Sequence, residues 1–580
     1  MLRFNRIFLV TLLSAAAVLA GTFAGGSGTV VDPYQIATAD QFKAFAALVN
    51  SGKTSVSGIL TQDIALNDTS DFDDWGAVVP DNVWSPIGSA SAPYQGVFDG
   101  NNHYVDGLFI DTTLTVSLAG GFADSSIGFF AQIGASGTVR NIKMRDAYVS
   151  ISVATDTAGV TGLNESLFRT GVNGGIAVGK NSGIVKNITL LSGKFHGISG
   201  QFFRAGAIAG RNDGLLYNCV NYTEVYIRRN GNVWVDVGGI VGNDAGDVGD
   251  CLNYGNITSE NTVGGIAGLL TKEGRLFKCA NYGIVTSTKS LLAYIGGIVG
   301  TANSGLIDCV YNIGSVAVDA ADNVIAGGIA GELGKDSSVV LKNAYSAAEA
   351  IFITNSSKIA VGAAVGNVQT SKVEADSVYA RKSDSLHLFG AVKSGTSIGD
   401  TAELTAAEMQ SQEFAELLGD AFTYEKGYPS LKMTSFAALM FVVDGTVADV
   451  DEVLDGSKYV LPQLTVTGYK MLYWKLDGDS VGVAGDTVSV TGDMVFFAKA
   501  DVVAGIAPVT RSVRTPSYRV ENMRLVFESL KAGTRVVVFD LRGRAVADFV
   551  AQASGARVNL PAPGIYSVRT GTSASLVSVK

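Results

Sequence analysis

Between Gly174 and Gly366 the apolar positions come in short runs, each ending in a tight string of small residues that recurs along the chain. The strings are Gly-Gly-Ile-Ala-Val-Gly closing at Gly179, Ala-Gly-Ala-Ile-Ala-Gly at Gly210, Val-Gly-Gly-Ile-Val-Gly at Gly242, Val-Gly-Gly-Ile-Ala-Gly at Gly268, Ile-Gly-Gly-Ile-Val-Gly at Gly300, Ala-Gly-Gly-Ile-Ala-Gly at Gly331 and Val-Gly-Ala-Ala-Val-Gly at Gly366. The intervals are 31, 32, 26, 32, 31 and 35 residues. A period in the range of about 20–50 residues marks a solenoid, whose units bury their apolar side only against neighbours. Within a unit, runs such as Gly265-Ile266-Ala267-Gly268 and Gly283-Ile284-Val285-Thr286 are separated by Gly, Asn, Asp and Ser, without any helical stripe. The spacing predicts one coil of a parallel β-helix per unit, with three short strands to the coil. The alternative with a similar period, a propeller, uses longer units of about 40–45 residues and four strands. The glycines are expected where coils bend, through positive φ and close backbone approach.

The same pattern locates the ends. Thr38 and Gln41 form a capping box, Phe42, Phe45, Ala46 and Val49 form an apolar face and Gly52 is a stop, which predicts an amphipathic helix over 39–51 covering the first coils. A second helical pattern from Thr405 to Leu418 is expected to cap the last coils. Ahead of these, Arg3 and Arg6, the apolar stretch Ile7 to Ala20 and the small residues Val18-Leu19-Ala20 read as a secretory signal over 1–20, with cleavage after Ala20 or Ala24. That apolar stretch is shorter than the roughly 20 residues a membrane span needs, so no span is expected in the mature chain.

Composition narrows the function classes. Glycine reaches 70 of 580 residues against 10 prolines, which implies many close turns without a collagen period. The formal net charge of −10 argues against a phosphate-binding surface, so nucleic acid is not expected as a partner. Cys219, Cys251 and Cys309 each lie nine residues after a closing glycine and Cys279 eleven after Gly268; all four are assigned to one repeat position, with Asn343 taking it in the next unit. The strings NCVNY, DCLNY, KCANY and DCVYN predict ladders of Cys, Asn and Tyr along the stack. Four cysteines in an exported chain allow three disulfide connectivities. The favoured reading is four small buried residues, and their spacing lacks the His or acidic companions of a zinc site.

The candidate catalytic constellations have simpler structural readings. Asp68, Asp71, Asp73 and Asp74 beside Trp75 read as a solvated loop, with calcium binding as the minority reading. Asp99 to His103 reads as a turn. The histidines are His103, His196 and His387, and Gly395-Thr396-Ser397-Ile398-Gly399 spells a nucleophile elbow with no later histidine to complete a triad. Gly52-Lys53-Thr54 lacks the first phosphate-loop glycine, position 47 being Ala. No residue is assigned a catalytic, cofactor-binding or metal-binding role.

The repeat closely resembles the GLUG motif, and Trp84-Ser85-Pro86-Ile87-Gly88, Phe98-Asp99-Gly100-Asn101-Asn102-His103 and Gly128-Phe129-Phe130 resemble the blocks that precede such repeats in bacterial surface proteins. The resemblance spans 34–432, including Gly427-Tyr428-Pro429, and implies a secreted, adhesin-like right-handed parallel β-helix over 25–435. Residues 438–501, with Trp474-Lys475-Leu476-Asp477-Gly478 and Val490-Thr491-Gly492-Asp493-Met494, are similar to the internalin-type B repeat, a β-grasp-like module. A linker over 502–518 with Pro508 and Pro516 follows. Residues 519–580, with Val538-Phe539-Asp540-Leu541-Arg542-Gly543-Arg544 and Pro563-Gly564-Ile565-Tyr566-Ser567-Val568-Arg569, resemble the C-terminal sorting domain of type IX secretion cargo, an Ig-like β-sandwich; the plain alternative is such a sandwich without a targeting role. The expectation is therefore an all-β protein secreted to the bacterial cell surface and attached at the outer membrane. It would engage the outer-membrane secretion machinery through its C-terminal module and bind a polysaccharide or surface glycoprotein. A polysaccharide lyase or glycoside hydrolase on the same scaffold, or a structural stalk, are the competing readings. A cleft lined by charged residues from adjacent coils favours the enzyme, and a smooth wall of small residues favours binding.

Overall fold

In the computed structural model the repeats stack as parallel coils, each strand pairing in register with the strand one unit away. Residues 23–433 are described except 31, 118–123, 157–170, 289–290, 320–321, 336, 350 and 355–357. Beyond 433 the described residues are 436–443, 446–454, 458–464, 469–476, 479–491, 494–502, 518–521, 524–527, 535–540, 545–550, 556–560, 564–570 and 573–579. The signal segment and nearly all of the linker lie outside them. The chain divides into two compact units, Met1–Met433 and Thr434–Lys580.

The first unit is a parallel β-helix with four faces to the coil where three were expected. Taking one coil as the example, Val235–Gly238 lies on face 1, Val241–Asp244 on face 2, Asp247–Gly249 and Leu252–Asn253 on face 3, and Ile257–Ser259 on face 4. Eight strands stack on face 1, nine on face 2, seventeen short strands on face 3 and eight on face 4. The extra corner arises inside the Gly-Gly-Ile string, which reads as one strand in the sequence. In space the chain turns there, so residues before and after it belong to different faces. Parallel pairing between successive units, such as Val241 with Ala267 and Ala267 with Val299, is incompatible with propeller blades.

Glycine and positive φ separate in this fold. None of the seven closing glycines has positive φ. Each is small because the backbone of face 1 passes close by: a Cβ on Gly242 would lie 2.4 Å from the Ala205 nitrogen, and one on Gly268 2.4 Å from the Val237 nitrogen. The left-handed conformation is instead taken on face 3 by Asn141, Asn187, Asn218, Asp250, Lys278, Cys309, Asn343 and Ser377, with φ between 50 and 58°. Asn and Asp tolerate that region best. Here the side chains also link up, since Asn187 donates to Asn141 and Asn218 to Asn187, each at 2.8 Å.

The row of left-handed residues corrects the cysteine register. Cys219, Cys251 and Cys279 fall in one buried row, but Cys279 pairs with Val310, which leaves Cys309 one residue earlier, on the left-handed row with Asn343. Counting from the closing glycine misleads because the turns differ in length: Ala302 to Leu306 spans one position more than the equivalent Asp244 to Asp247, which shifts Cys309 off the row of Cys219 and Cys251. All four cysteines are free. The asparagine ladder runs true: Asn221 donates to Asn253, Asn253 to Asn281 and Asn281 to Asn312 at 2.7–2.8 Å. The tyrosines split into two ladders. Tyr222, Tyr254 and Tyr282 follow the asparagine, with ring centroids 4.7 and 4.5 Å apart; Tyr311, Tyr345 and Tyr379 precede its row, and Tyr311 and Tyr345 stack at 5.0 Å.

The N-terminal helix forms as its pattern predicts, over Ala39–Asn50, with Thr38 accepting from the Gln41 backbone and Phe42, Phe45, Ala46 and Val49 buried. Its Phe42 ring is packed against Trp84, Phe98 and Phe129 at 5.1–5.2 Å, so three separate aromatic blocks of the sequence meet in one cluster under the helix. The second helical segment, Ala406–Met409 and Gln412–Leu418, lies along face 3, where the pattern predicted a cap on the stack. Met409, Phe414 and Leu418 cluster with Tyr311, Tyr345 and Tyr379, because the bulky outward rings of that second ladder are the apolar surface needing cover.

In the second unit, Phe436–Val443 pairs antiparallel with Thr446–Leu454 and parallel with Met494–Val502 in a five-stranded sheet around Phe441, Trp474 and Phe496, a β-grasp-like arrangement. Farther on, three-stranded and four-stranded antiparallel sheets share a core of Leu525, Phe527, Val536, Val538, Val558 and Val568, a small β-sandwich.

Candidate functional site

The motifs weighed for chemistry do not converge. Asp68, Asp71, Asp73 and Asp74 are exposed around the single turn Phe72–Asp74; Asp68 accepts from the Ser70 backbone at 3.0 Å, and Asp73 lies 3.6 Å from the Lys194 ammonium. Asp99 accepts from the Asn101 backbone at 2.7 Å and from Arg140 at 2.9 Å, as a turn residue should, and His103 contacts Asp63 at 2.9 Å. Ser397 sits on the exposed two-residue strand Ser397–Ile398 without an elbow. Among the described residues no three His, Cys, Asp or Glu side chains gather as metal ligands would.

A group of charged residues perturbed by burial lies where faces 1 and 2 meet. One row runs up face 1 six residues before each closing glycine: Asn173, Arg204, Asp236, Thr262 and Tyr294 are successive ladder partners. A second row runs up face 2 directly after each closing glycine: Lys180, Arg211, Asn243, Leu269, Thr301 and Glu332. The small closing glycines let the two backbones approach, so these rows form a polar seam. At its N-terminal end Arg204 contacts Asp124 at 3.3 Å, and Arg211 reaches both Asp124 at 3.8 Å and Asp213 at 2.8 Å.

Farther along, two carboxyls are wholly buried. Asp236 Oδ1 accepts from Trp234 Nε1 at 3.0 Å, while Oδ2 has no hydrogen-bond partner. Burial, opposed by the Arg204 charge, pushes its pKa up to about 7. Glu332 Oε2 accepts from Asn367 at 3.0 Å and Gln369 at 2.7 Å, Oε1 has no partner, and burial again raises the pKa. They stand three coils apart, about 14 Å at the ordinary strand spacing, well beyond the roughly 5–9.5 Å that a pair of glycosidase carboxyls requires.

The mouth of this stretch is what solvent meets. The Trp234 indole is 38% exposed, with Tyr294 5.9 Å away and the Lys335 ammonium 6.0 Å from the ring centroid. Lys335 is exposed and forms no ion pair among the described residues. The seam was missed from the sequence because its two rows belong to one apparent strand; the signal was there in the residues flanking each glycine string, as in Asp236-Val237-Gly238-Gly239-Ile240-Val241-Gly242-Asn243. By the criterion of charged residues from adjacent coils the seam leans toward an enzyme. The burial and spacing of its carboxyls lean away, because a catalytic group must touch its substrate.

No helix among the described residues is long and apolar enough to cross a membrane. No protein-family model matches the chain. A protein of Evansella cellulosilytica that carries the name Gly-rich membrane protein is 32% identical over 143 residues, 24% of this chain and 14% of that relative, so the match spans about one seventh of the relative's length. Among solved structures, an immunoglobulin A1 protease from Bacteroides ovatus aligns over 72% of this chain and 97% of its own at 18% identity, with a TM-score of 0.31, a likeness too loose to support a functional inference.

Proposed function

We propose that the protein is a cell-surface β-helix that binds polysaccharide. The observation that carries this reading is the set of exposed aromatic rings fixed on rigid coils, with Trp234 at the seam mouth and Tyr222 and Tyr254 stacked along the flank. Rigid aromatic side chains offer large contact area at small entropic cost and keep a polar tip toward water. The Gly-rich membrane protein aligned with part of the chain agrees with a surface location. Export through the type IX route, directed by residues 519–580, belongs to the same proposal; deleting them should retain the protein in the periplasm, and unchanged surface display would overturn that part.

The decisive experiment applies the full chain to a polysaccharide array while assaying the same polymers for reducing ends and unsaturated products. Retention without turnover is expected. Turnover of any polymer would establish the lyase or hydrolase reading, and absence of retention would leave the stalk.

A further inference from the structure

We infer that the mouth of the seam is a subsite for an acidic saccharide, with the Trp234 indole as platform for the sugar ring and the Lys335 ammonium as partner for its carboxylate or sulfate. This rests on the polysaccharide-binding reading and names its ligand class.

Two observations support it. The local charge departs from that of the chain: Lys180, Arg204, Arg211 and Lys335 gather along the seam while the whole molecule carries −10. Two of the acids beside them, Asp236 and Glu332, are buried, and burial disfavours their charged forms, so they offset these cations only in part. Asp124 and Asp213 pair with Arg204, Arg211 and Lys180, whereas Lys335, whose charge acts through space on the buried Asp236 and Glu332, forms no ion pair among the described residues and is exposed to an incoming anion.

The second observation is geometric. Lys335 lies 6.0 Å from the Trp234 ring centre, so a pyranose stacked on the exposed indole would place a ring substituent within reach of the ammonium. A site for a purely neutral sugar would have no use for the unpaired ammonium.

The test titrates the full chain with oligogalacturonate and with cello-oligosaccharide at about 20 and 200 mM salt, a range over which charge contacts weaken, following heat by calorimetry. Oligogalacturonate should bind, more weakly at high salt, with affinity reduced at least ten-fold by Lys335→Ala and lost in Lys335→Glu. Lys335 is exposed and unpaired, so both variants should retain the circular dichroism and melting temperature of the parent. Cello-oligosaccharide bound as tightly as oligogalacturonate, or Lys335→Glu binding like the parent, would sink the acidic-ligand inference while leaving polysaccharide binding standing. Failure of the parent chain to bind either probe, together with an empty array, would remove both.

Discussion

Asn212 donates its side-chain amide to Asp244 at 2.8 Å, one coil ahead, as Asn181 donates to Asn212. The two asparagines also donate to backbone carbonyls, Asn181 to Leu215 at 3.0 Å and Asn212 to Asp247 at 3.2 Å. Asp244, which ends the ladder, carries an oxygen without a partner where the amide would be, and burial raises its pKa well above the carboxylate range. A carboxyl with a raised folded pKa contributes stability fully present below its unfolded value near 4 and lost as the pH rises through the folded value. Asp244→Asn should therefore stabilise the solenoid by about 1–3 kcal/mol at pH 8, with the gain shrinking toward pH 4. Thermal melts of both proteins across that range are the check; an equal difference at both pH values would contradict a protonation origin.

The closing glycines predict a sharp contrast between two alanine substitutions. Gly242→Ala drives a Cβ to 2.4 Å from the Ala205 nitrogen, a backbone atom fixed by its own ladder, and should cost at least about 3 kcal/mol. Gly231→Ala meets nothing within 4 Å and only strains a φ of +97°, costing about 1–2 kcal/mol. Soluble yield and resistance to protease should fall steeply for the first and slightly for the second.

Thiol chemistry should report the corrected register. Cys251 and Cys279 are fully buried with pKa values raised by burial, and Cys309, half-buried beside Asp308, is pushed up to about 12. Native protein at pH 8 should resist iodoacetamide, all four thiols reacting only in denaturant, since the thiolate is the nucleophile. Under partial unfolding Cys309 should label before the other three; mass spectrometry of the labelled peptides would show the order.

Phe414→Ala should loosen the helical segment on face 3 without unwinding the coils. Its ring packs edge-on against Tyr345 and Tyr379 at 5.4 Å, and loss of a buried phenylalanine costs about 3–5 kcal/mol. Faster proteolysis between residues 405 and 432 with unchanged strand signal is expected, and cleavage spread through the coils would show that the segment supports the whole stack.

Architecture was more legible than chemistry. The glycine strings set the coil period because steric closeness recurs at the same place in every turn, and Phe42, Phe45 and Val49 announced the N-terminal helix because their spacing is that of a helical face. Cys309 was misplaced because a count from Gly300 cannot see that turns differ in length, whereas the backbone conformation at Lys278 and Cys309 does. Arg204, Asp236 and Glu332 drew no attention as isolated charges. They become a group only when the corner between faces 1 and 2 folds distant residues into parallel rows.

The switch between the two tyrosine ladders has a consequence for how such a molecule can grow. Tyr282 and Tyr311 meet edge to face, their hydroxyls hydrogen-bonded, and the rows on either side obey different rules. A duplicated coil inserted between Gly242 and Gly268 would extend an open row and find matching neighbours above and below. The same insertion after Cys309 would push a ring beyond the reach of Phe414 and Leu418. Lengthening by duplication is thus open to one half of the solenoid and closed to the other, which makes the flank from Tyr222 to Tyr282 the adjustable part of the molecule's reach.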